Sequence, residues 1–320
     1  MLEWKISADA AGQRLDKFLR RALKDVPLSH VYKLLRTRKV RVNGARGRAE
    51  QVLGEGDAVL VRGDEERLLG PSEPAGKPAR PVAVTFRVLH EDEHLLVVNK
   101  PAGLAAHPGT GITGATLVEE ARAYLSVPAD LPPAEFRPSP AHRLDRETSG
   151  VVLVAKTRRC MVRLTEIFTS GEGIRKTYLA LAKGKMPRAD GTIDLALSEH
   201  EQTARSKEAR GVNFQEATTH YRVLSSMREA SLLSLRIETG RTHQIRRHLQ
   251  AAGHTVAGDP RYGDFAFNRI ARVRWGLRRM FLHAWKLELP HPMEKHTLRL
   301  EAPLPDELRE VLQKMNLAGP

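Results

Sequence analysis

The sequence has one cysteine, few aromatic residues and no long apolar run. Because Cys160 is the only thiol in 320 residues, an intramolecular disulfide framework and a cysteine-rich metal site are both excluded, and a small packing residue on a helix is its expected role. No stretch approaches the roughly 20 apolar residues of a membrane-spanning helix, and the N-terminus lacks the apolar segment of a signal peptide. These absences favour a cytoplasmic protein that is not bound to a membrane.

Basic residues are what the chain has in excess. Lysine and arginine number 52 against 38 acidic residues, which gives a formal net charge of +14 at pH 7. A surplus of this size favours a polyanionic partner, because cations that neutralise phosphates release their counterions. The chain is long enough for two domains, and the proline-rich stretch 71–81 predicts a linker. We therefore predict a small domain at 1–70, a linker at 71–84 and a larger domain at 85–320.

The first seventy residues have the pattern of a small α/β module. Apolar residues at helical spacing predict one helix over 14–23 and a second that begins near Ser29, a candidate N-cap. Val40–Val42 alternates like a strand, and Asn43-Gly44 predicts a tight turn. The cations of this module suit a phosphate backbone, although charged residues commonly do no more than solvate a helix. The candidate RNA contacts are Arg14, Lys33, Arg36, Lys39 and Arg41.

The polar stretch 142–150 leads directly into the apolar run 151–155. That run predicts a strand buried on both faces, and a loop that ends on such a strand holds its side chains on a rigid support. Asp145 lies between Arg143 and Arg146, which favours its charged form. An ionised carboxylate in a basic site can act as a nucleophile or a base. The alternative is an ordinary turn, since Asp, Thr, Ser and Gly are common turn residues.

Two further segments carry candidate site residues. The run 175–182 predicts a strand with Lys176 and Tyr178 on one face, where the tyrosine is either a platform for a base or an ordinary strand residue. Gly240 ends a predicted strand and opens a cationic helix, a pattern typical of an anion site at a helix N-terminus or of a solvated basic face. Because Arg241 and Arg246 are five residues apart, we expect them to have separate partners.

A basic patch and an irregular segment complete the second half. Five arginines surround Trp275, an arrangement in which RNA loops are often held. Residues 198–215 predict a long polar loop, and 306–315 predict an amphipathic terminal helix. The arginines of the patch are Arg269, Arg272, Arg274, Arg278 and Arg279.

Several motifs stand in an order that resembles the RluA family of pseudouridine synthases. The most specific are His-Arg-Leu-Asp-x-x-Thr-Ser-Gly at 142–150 and Thr-Gly-Arg-Thr-His-Gln-Ile-Arg at 239–246. Residues 12–62 resemble the S4 RNA-binding domain, and the long match is most similar to the C-type enzymes of the large ribosomal subunit. The other matching motifs lie at 99–103, 176–178, 258–263 and 282–284.

The resemblance implies an α+β fold, with a mixed, largely antiparallel sheet, flanking helices and a central cleft beside a small N-terminal S4 domain. It implies a monomer that isomerises uridines of RNA, expected to be large-subunit (23S) ribosomal RNA, without cofactor or metal. Asp145 matches the catalytic aspartate, which attacks the sugar C1′ or works through a glycal. Tyr178 matches the residue that stacks on the base and takes the C5 proton.

The resemblance also implies roles for several cations. Arg246 matches the arginine that pairs with the aspartate, with Arg241 as the second choice, and Arg143 matches the residue that fills the gap left by the flipped nucleotide. The further substrate-binding candidates are Lys176, Arg241, Thr242, His243 and Gln244.

Two other classes of protein fit parts of the sequence. A catalytically idle RNA-binding or ribosome-assembly protein would share the basic charge and the front module. A nucleosidase or glycosidase would use Asp145 and Glu147 as its two carboxyls, roughly 5 Å apart for retaining chemistry. A neutral sugar substrate leaves the positive surplus unexplained.

Overall fold

In a computed structural model of the chain, the residues described are 1–23, 26–64, 68, 82–109, 112–128, 131–132, 135–198 and 214–320. Residues 71–81 of the predicted linker at 71–84 lie outside these residues, as does most of the predicted loop at 198–215. The predicted domain bounds therefore stay a prediction.

The chain packs as two compact units. The first contains Met1–Val84, Val118–Ser139 and Ala155–Val162. The second contains Thr85–Leu117, Pro140–Val154 and Arg163–Pro320.

The first unit holds an antiparallel four-stranded sheet and two helices near its N-terminus. The strands are β1 (Leu2–Lys5), β2 (Val40–Val42), β3 (Ala45–Arg46) and β4 (Ala58–Val61), in the order β1-β4-β2-β3, and the helices are α1 (Leu15–Ala22) and α2 (Leu28–Arg36). As predicted, Asn43 and Gly44 turn β2 into β3, with φ of 50° and 77°.

The predicted N-cap at Ser29 is wrong. Helix α2 begins at Leu28, and Pro27 occupies the cap position. The carbonyl of Pro27 accepts the first helical hydrogen bonds, from the backbone N–H groups of His30 and Val31. Pro27 has no side-chain acceptor, so no side-chain cap bond forms there.

The second unit is organised around a mixed sheet. The remaining strands of the described residues are β5 (Arg87–Glu91), β6 (Leu95–Lys100), β7 (Ser139–Pro140), β8 (Ser149–Ala155), β9 (Arg175–Lys183), β10 (Asp190–Asp194), β11 (Leu197–Ser198), β12 (Phe214–Gln215), β13 (Thr218–Ser226), β14 (Ala230–Ile237), β15 (Leu282–Pro290) and β16 (Thr297–Glu301). The strands of the mixed sheet run in the order β10-β13-β14-β9-β15-β8-β6-β5, with β16 beside β15. β15 pairs with β8 in parallel, and its partners β9 and β16 are antiparallel.

Helices cover both faces of this sheet. Further helices of the described residues are α3 (Leu117–Tyr124), which lies almost wholly in the first unit, α4 (Arg158–Ser170), α5 (Gln244–Ala251), α6 (Phe265–Trp275) and α7 (Asp306–Lys314). Apolar residues of α6 and α7 pack with Leu179 and Leu181 of β9. Residues of α5 pack with Ala180 and Ala182, which point the opposite way from the same strand. The predicted α+β class, with a largely antiparallel mixed sheet and flanking helices, is confirmed.

Strand β8 is buried along its whole length, as predicted for the apolar run that follows the central loop. Gly150 lets β8 approach β15 closely. Its φ is 123°, and an added Cβ would lie 2.2 Å from the carbonyl oxygen of Ala284. The glycine that ends the polar motif is therefore required by backbone packing.

Within the described residues, none of the helices combines the length and the apolar character needed to cross a membrane.

Candidate active site

The loop that carries Asp145 is tied to the segment that follows β6. The ammonium group of Lys100 donates to the carbonyl oxygens of Pro101, Leu104 and Arg146 at 2.9, 2.8 and 3.1 Å. These three acceptors match the three N–H groups of a lysine. Nε of Arg146 donates to the carbonyl oxygen of Gly103 at 2.9 Å, and the backbone N–H of Gly103 donates to the carbonyl oxygen of Arg146 at 2.8 Å. Burial lowers the pKa of Lys100 to about 7, although the negative charge of nearby Glu147 opposes this shift.

Asp145 pairs with Arg246, which is itself fixed by a second carboxylate. Nη1 of Arg246 lies 3.0 Å from Oδ2 of Asp145. Nε and Nη2 of the same guanidinium donate to Oδ2 and Oδ1 of Asp259 at 2.7 and 3.0 Å. Because Asp259 binds one edge of the planar group through two N–H groups, it fixes the direction in which Nη1 points toward Asp145.

The ion cluster lies at the boundary between core and cleft. The side chain of Asp259 is fully buried, that of Arg246 is 7% exposed and that of Asp145 is 23% exposed. Burial disfavours the charge of Arg246, but hydrogen bonds and charges from Asp259 and Asp145 outweigh it and raise its pKa. Arg246 is therefore a permanent cation beside the one carboxylate of the cluster that is open to the cleft.

A histidine and a tyrosine close the other side of Asp145. Nε2 of His243 lies 3.8 Å from Oδ1 of Asp145, and its Nδ1 is 3.0 Å from the hydroxyl of Tyr262. His243 has a left-handed φ of 55° directly before α5 begins. The guanidinium of Arg246 lies 4.9 Å from the centre of the Tyr262 ring. Among the described residues, none donates a hydrogen bond to Oδ1, so this oxygen stays available to a substrate.

A cleft opens over this cluster, with Asp145 and Tyr178 in its lining. Burial, followed by the negative charge of Asp145, raises the pKa of Tyr178. The tyrosine therefore presents a neutral phenol and an aromatic face to the cleft at neutral pH. The predicted central cleft is present, and it brings Asp145, Tyr178 and Arg246 together.

The remaining predicted substrate contacts differ in position. Arg143 and Arg241 are exposed and line the cleft. Arg241 donates from Nε to the carbonyl of Glu216 at 3.3 Å, so Arg246 and not Arg241 pairs with the aspartate. Thr242 is exposed beside them. Lys176 is half-buried, and burial lowers its pKa.

The cationic helix begins later than predicted. Helix α5 starts at Gln244, so Gly240 and Arg241 belong to the preceding turn. Oε1 of Gln244 accepts from the hydroxyl of Thr239 and the backbone N–H of Arg241, at 2.7 and 3.1 Å. Its Nε2 donates to the carbonyl of Thr218 at 3.0 Å. Gln244 is buried, and its contacts anchor the turn below the cleft.

The predicted aromatic centre of the basic patch is wrong. Trp275 is 4% exposed and packs into the core, because its position on α6 faces the sheet. Arg279 also points inward, where it donates to Glu307 and to the hydroxyl of Ser149, each at 3.1 Å. The other four arginines of the patch remain exposed.

Sequence reasoning missed Asp259, Tyr262 and Lys100 as parts of the site. Asp259 and Tyr262 belong to the dense Gly-Asp-Pro-Arg-Tyr-Gly motif at 258–263, but nothing local to that motif indicates that it folds back onto α5. Lys100 follows an apolar strand, and a lysine at the end of such a strand was a usable signal of a buried cation.

In the first unit, all five predicted RNA contacts are exposed. Arg14 is paired with Asp16 at 2.8 Å, which leaves part of its charge neutralised. The other four are Lys33, Arg36, Lys39 and Arg41.

Comparison with known proteins places this geometry in a family. Residues 94–251 match the model for RNA pseudouridylate synthase, and residues 13–59 match the S4 domain. The chain is 39% identical to ribosomal large subunit pseudouridine synthase C of Escherichia coli O157:H7, and the match covers 98% of this chain and 96% of that protein. The protein of the same name from Vibrio cholerae serotype O1 is 38% identical over the same shares.

Solved structures agree with the sequence relatives. Human RNA pseudouridylate synthase domain containing 4 is 27% identical, with a TM-score of 0.58, over 73% of this chain and 94% of that chain. Human RNA pseudouridylate synthase domain containing 1 is 26% identical, with a TM-score of 0.56, over 69% and 84%. The fold and the site define a pseudouridine synthase, and the chain belongs to the RNA pseudouridylate synthase family. It is an isomerase that also carries an S4 domain.

Proposed function

We propose that this enzyme converts specific uridines of large-subunit ribosomal RNA to pseudouridine, with Asp145 as its catalytic carboxylate. The relatives named for the large ribosomal subunit, which match nearly end to end, support this substrate. The observation that carries the proposal is the environment of the two carboxylate oxygens of Asp145. One of its oxygens accepts a hydrogen bond from Arg246 at 3.0 Å, and in the described part of the chain no group donates to the other, which lies at the cleft.

The chemistry requires a carboxylate that stays ionised beside a nucleoside. The bond between N1 of uracil and C1′ breaks, the detached base turns, a bond forms between C5 and C1′, and the proton on C5 leaves while N1 gains one. Reactant and product have the same atoms, so no redox cofactor is needed. Asp145 starts this sequence by attacking C1′ or by removing a sugar proton on the route to a glycal. In either case the fixed positive charge of Arg246 lies 3.0 Å from the reacting carboxylate.

The target nucleotide must leave its stack to reach Asp145, at a cost of roughly a few kcal/mol. We assign Tyr178 to stacking on the extruded uracil, since its ring lines the cleft. The raised pKa of Tyr178 makes its phenolate form rare at neutral pH, which favours stacking over base catalysis by an ionised phenol. Arg143, exposed at the cleft, fills the gap in the RNA helix.

The turn before α5 supplies the other substrate contacts. We assign Arg241, Thr242 and His243 to contacts with the nucleotide, with Lys176 as a further cation near the carbonyl of Thr239. Gln244 acts through these residues, because its buried amide holds the turn in place. The S4 domain adds RNA affinity through its exposed cations, and the enzyme works as a cytoplasmic monomer.

The proposal is tested with a transcript of large-subunit ribosomal RNA that carries tritium at C5 of its uridines. The wild type should release tritium, whereas Asp145→Asn should release none while its RNA dissociation constant stays within about twofold. Glu147→Gln is the matched control, since it neutralises an acid two residues away and should keep its activity. Conversion of uridine by Asp145→Asn would contradict the catalytic role of Asp145. Loss of activity in Glu147→Gln would favour a mechanism that uses both carboxyl groups.

A further inference from the structure

Helix α6 exposes an unusual mixture of side chains. Phe265 is 65% exposed, Ile270 46% and Val273 80%. Between them stand arginines that are also exposed. We call this surface the α6 face; its residues are Phe265, Arg269, Ile270, Arg272, Val273 and Arg274.

The α6 face is one continuous side of the helix. At about 100° per residue, its members fall within an arc of roughly 200°. The opposite side is the one that packs into the core, with Phe267, Ala271 and Trp275 buried. The sequence of α6 contains no acidic residue. The exposed surface therefore combines positive charge with apolar area and carries no negative charge of its own.

The arginines of this surface are poorly neutralised. Among the described residues, no carboxylate lies within 4.0 Å of Arg269, Arg272 or the neighbouring Arg278, and Arg274 reaches Glu229 only at 4.0 Å. By contrast, Arg163 on the surface of α4 pairs with Glu166 of the same helix at 2.7 Å. A helix face that only solvates the protein does not need three large apolar groups among unpaired cations.

The α6 face begins close in sequence to the cluster formed by Asp145, Arg246 and His243. Tyr262, bonded to His243 beside Asp145, stands three residues before Phe265. Asp264 caps the helix by accepting from the backbone N–H of Phe267 at 2.8 Å. A connection of two residues thus joins the cluster to the first exposed ring.

We propose that the α6 face binds the RNA that flanks the target uridine. Arg269, Arg272 and Arg278 contact phosphates, and the ring of Phe265 stacks on an unpaired base. Unpaired cations interleaved with apolar and aromatic groups are what single-stranded RNA requires, since phosphates need charge and bases need a flat apolar surface. This inference rests on the proposed function, because it takes the substrate to be RNA.

The test removes the charges and the ring separately. Arg269→Gln and Arg272→Gln, on the helix, and Arg278→Gln, just after it, are combined in one variant, called the α6 triple variant. Gln has nearly the helix propensity of Arg at the two helical positions. Arg222→Gln, Arg236→Gln and Arg299→Gln form the matched control, because these arginines are equally exposed but stand on strands. The ring is tested with Phe265→Ala and Phe265→Trp. Binding of the large-subunit transcript is measured over a range of salt concentrations, together with tritium release.

We expect the α6 triple variant to bind more weakly and to lose about two units from the slope of log K against log salt. Its KM should rise while kcat stays unchanged, and the strand triple variant should match the wild type. Phe265→Ala should bind roughly 5- to 150-fold more weakly, and Phe265→Trp should restore binding. Equal slopes and affinities in the two triple variants would overturn the inference and favour a protein partner for this face. Absence of tritium release in the wild type would instead overturn the proposed function and leave the binding result to be judged by itself.

Discussion

Asp259 should be essential although it does not reach the cleft. Its side chain is fully buried and holds Arg246 through two hydrogen bonds. Its Oδ1 also accepts the backbone N–H groups of Arg261 and Tyr262, at 2.8 and 3.0 Å. In Asp259→Asn the side chain keeps a single acceptor oxygen, and its amide N–H groups confront the N–H groups of Arg246. The variant therefore leaves a buried guanidinium with only Asp145 as its counterion.

The expected loss of stability is large. Breaking a buried ion pair by removing one partner costs about 3–5 kcal/mol, which should appear as a shift in the urea denaturation midpoint. Glu166→Gln is the control, since it breaks the Arg163–Glu166 pair, whose side chains are 59% and 55% exposed. An exposed pair of this kind contributes up to about 1 kcal/mol.

The expected loss of activity follows from the geometry of Arg246. Without Asp259 to orient its plane, the charge-assisted bond from Nη1 to Asp145 is weakened. A bond of this kind contributes about 1.5–3 kcal/mol, which corresponds to a fall in kcat of about 10- to 150-fold. Tritium release from the ribosomal RNA transcript measures this directly. The reasoning is refuted if Asp259→Asn is as stable as Glu166→Gln and keeps the wild-type kcat.

Three further predictions concern pH and RNA binding. Burial lowers the pKa of Lys100 to about 7, so the unfolded chain binds this proton more tightly than the folded chain does. Relative to Lys100→Met, the free energy of unfolding of the wild type should therefore rise by about 1.4 kcal/mol per pH unit from pH 7 to 10. A difference between the two proteins that does not change with pH would contradict this. Because burial and a neighbouring aspartate raise the pKa of Tyr178, phenolate absorbance should show one tyrosine that titrates above the others and disappears in Tyr178→Phe. Replacing Arg36, Lys39 and Arg41 by Gln should lower the salt slope of RNA binding by about two units without changing kcat; an unchanged slope would argue against an RNA contact there.

Local signals predicted the elements well. The apolar run 151–155 lies within a strand that is buried throughout, and Asn43-Gly44 turns as expected, because both patterns are decided by side chains within a few residues. Strand β16 and helix α6 were not predicted. Helix α6 has exposed apolar residues at 265, 270 and 273, which blur the pattern by which an amphipathic helix is recognised.

The cluster around Asp145 depends on long-range contacts that local sequence patterns do not predict. Charge placement suggested a cationic partner for Asp145, and the family resemblance suggested Arg246, which lies 101 residues away. No periodicity in the sequence relates either residue to Asp259, because that contact depends on how a loop after α5 folds back. The same limit explains the wrong expectation for Trp275, since which side of a helix meets the sheet is set by tertiary packing.

The most direct test maps pseudouridines in large-subunit ribosomal RNA from cells that have the gene, lack it, or carry Asp145→Asn in its place. The account predicts that the same specific sites are lost in the second and third strains and restored by the wild-type gene. An unchanged set of sites without the gene, or full modification by Asp145→Asn, would contradict it.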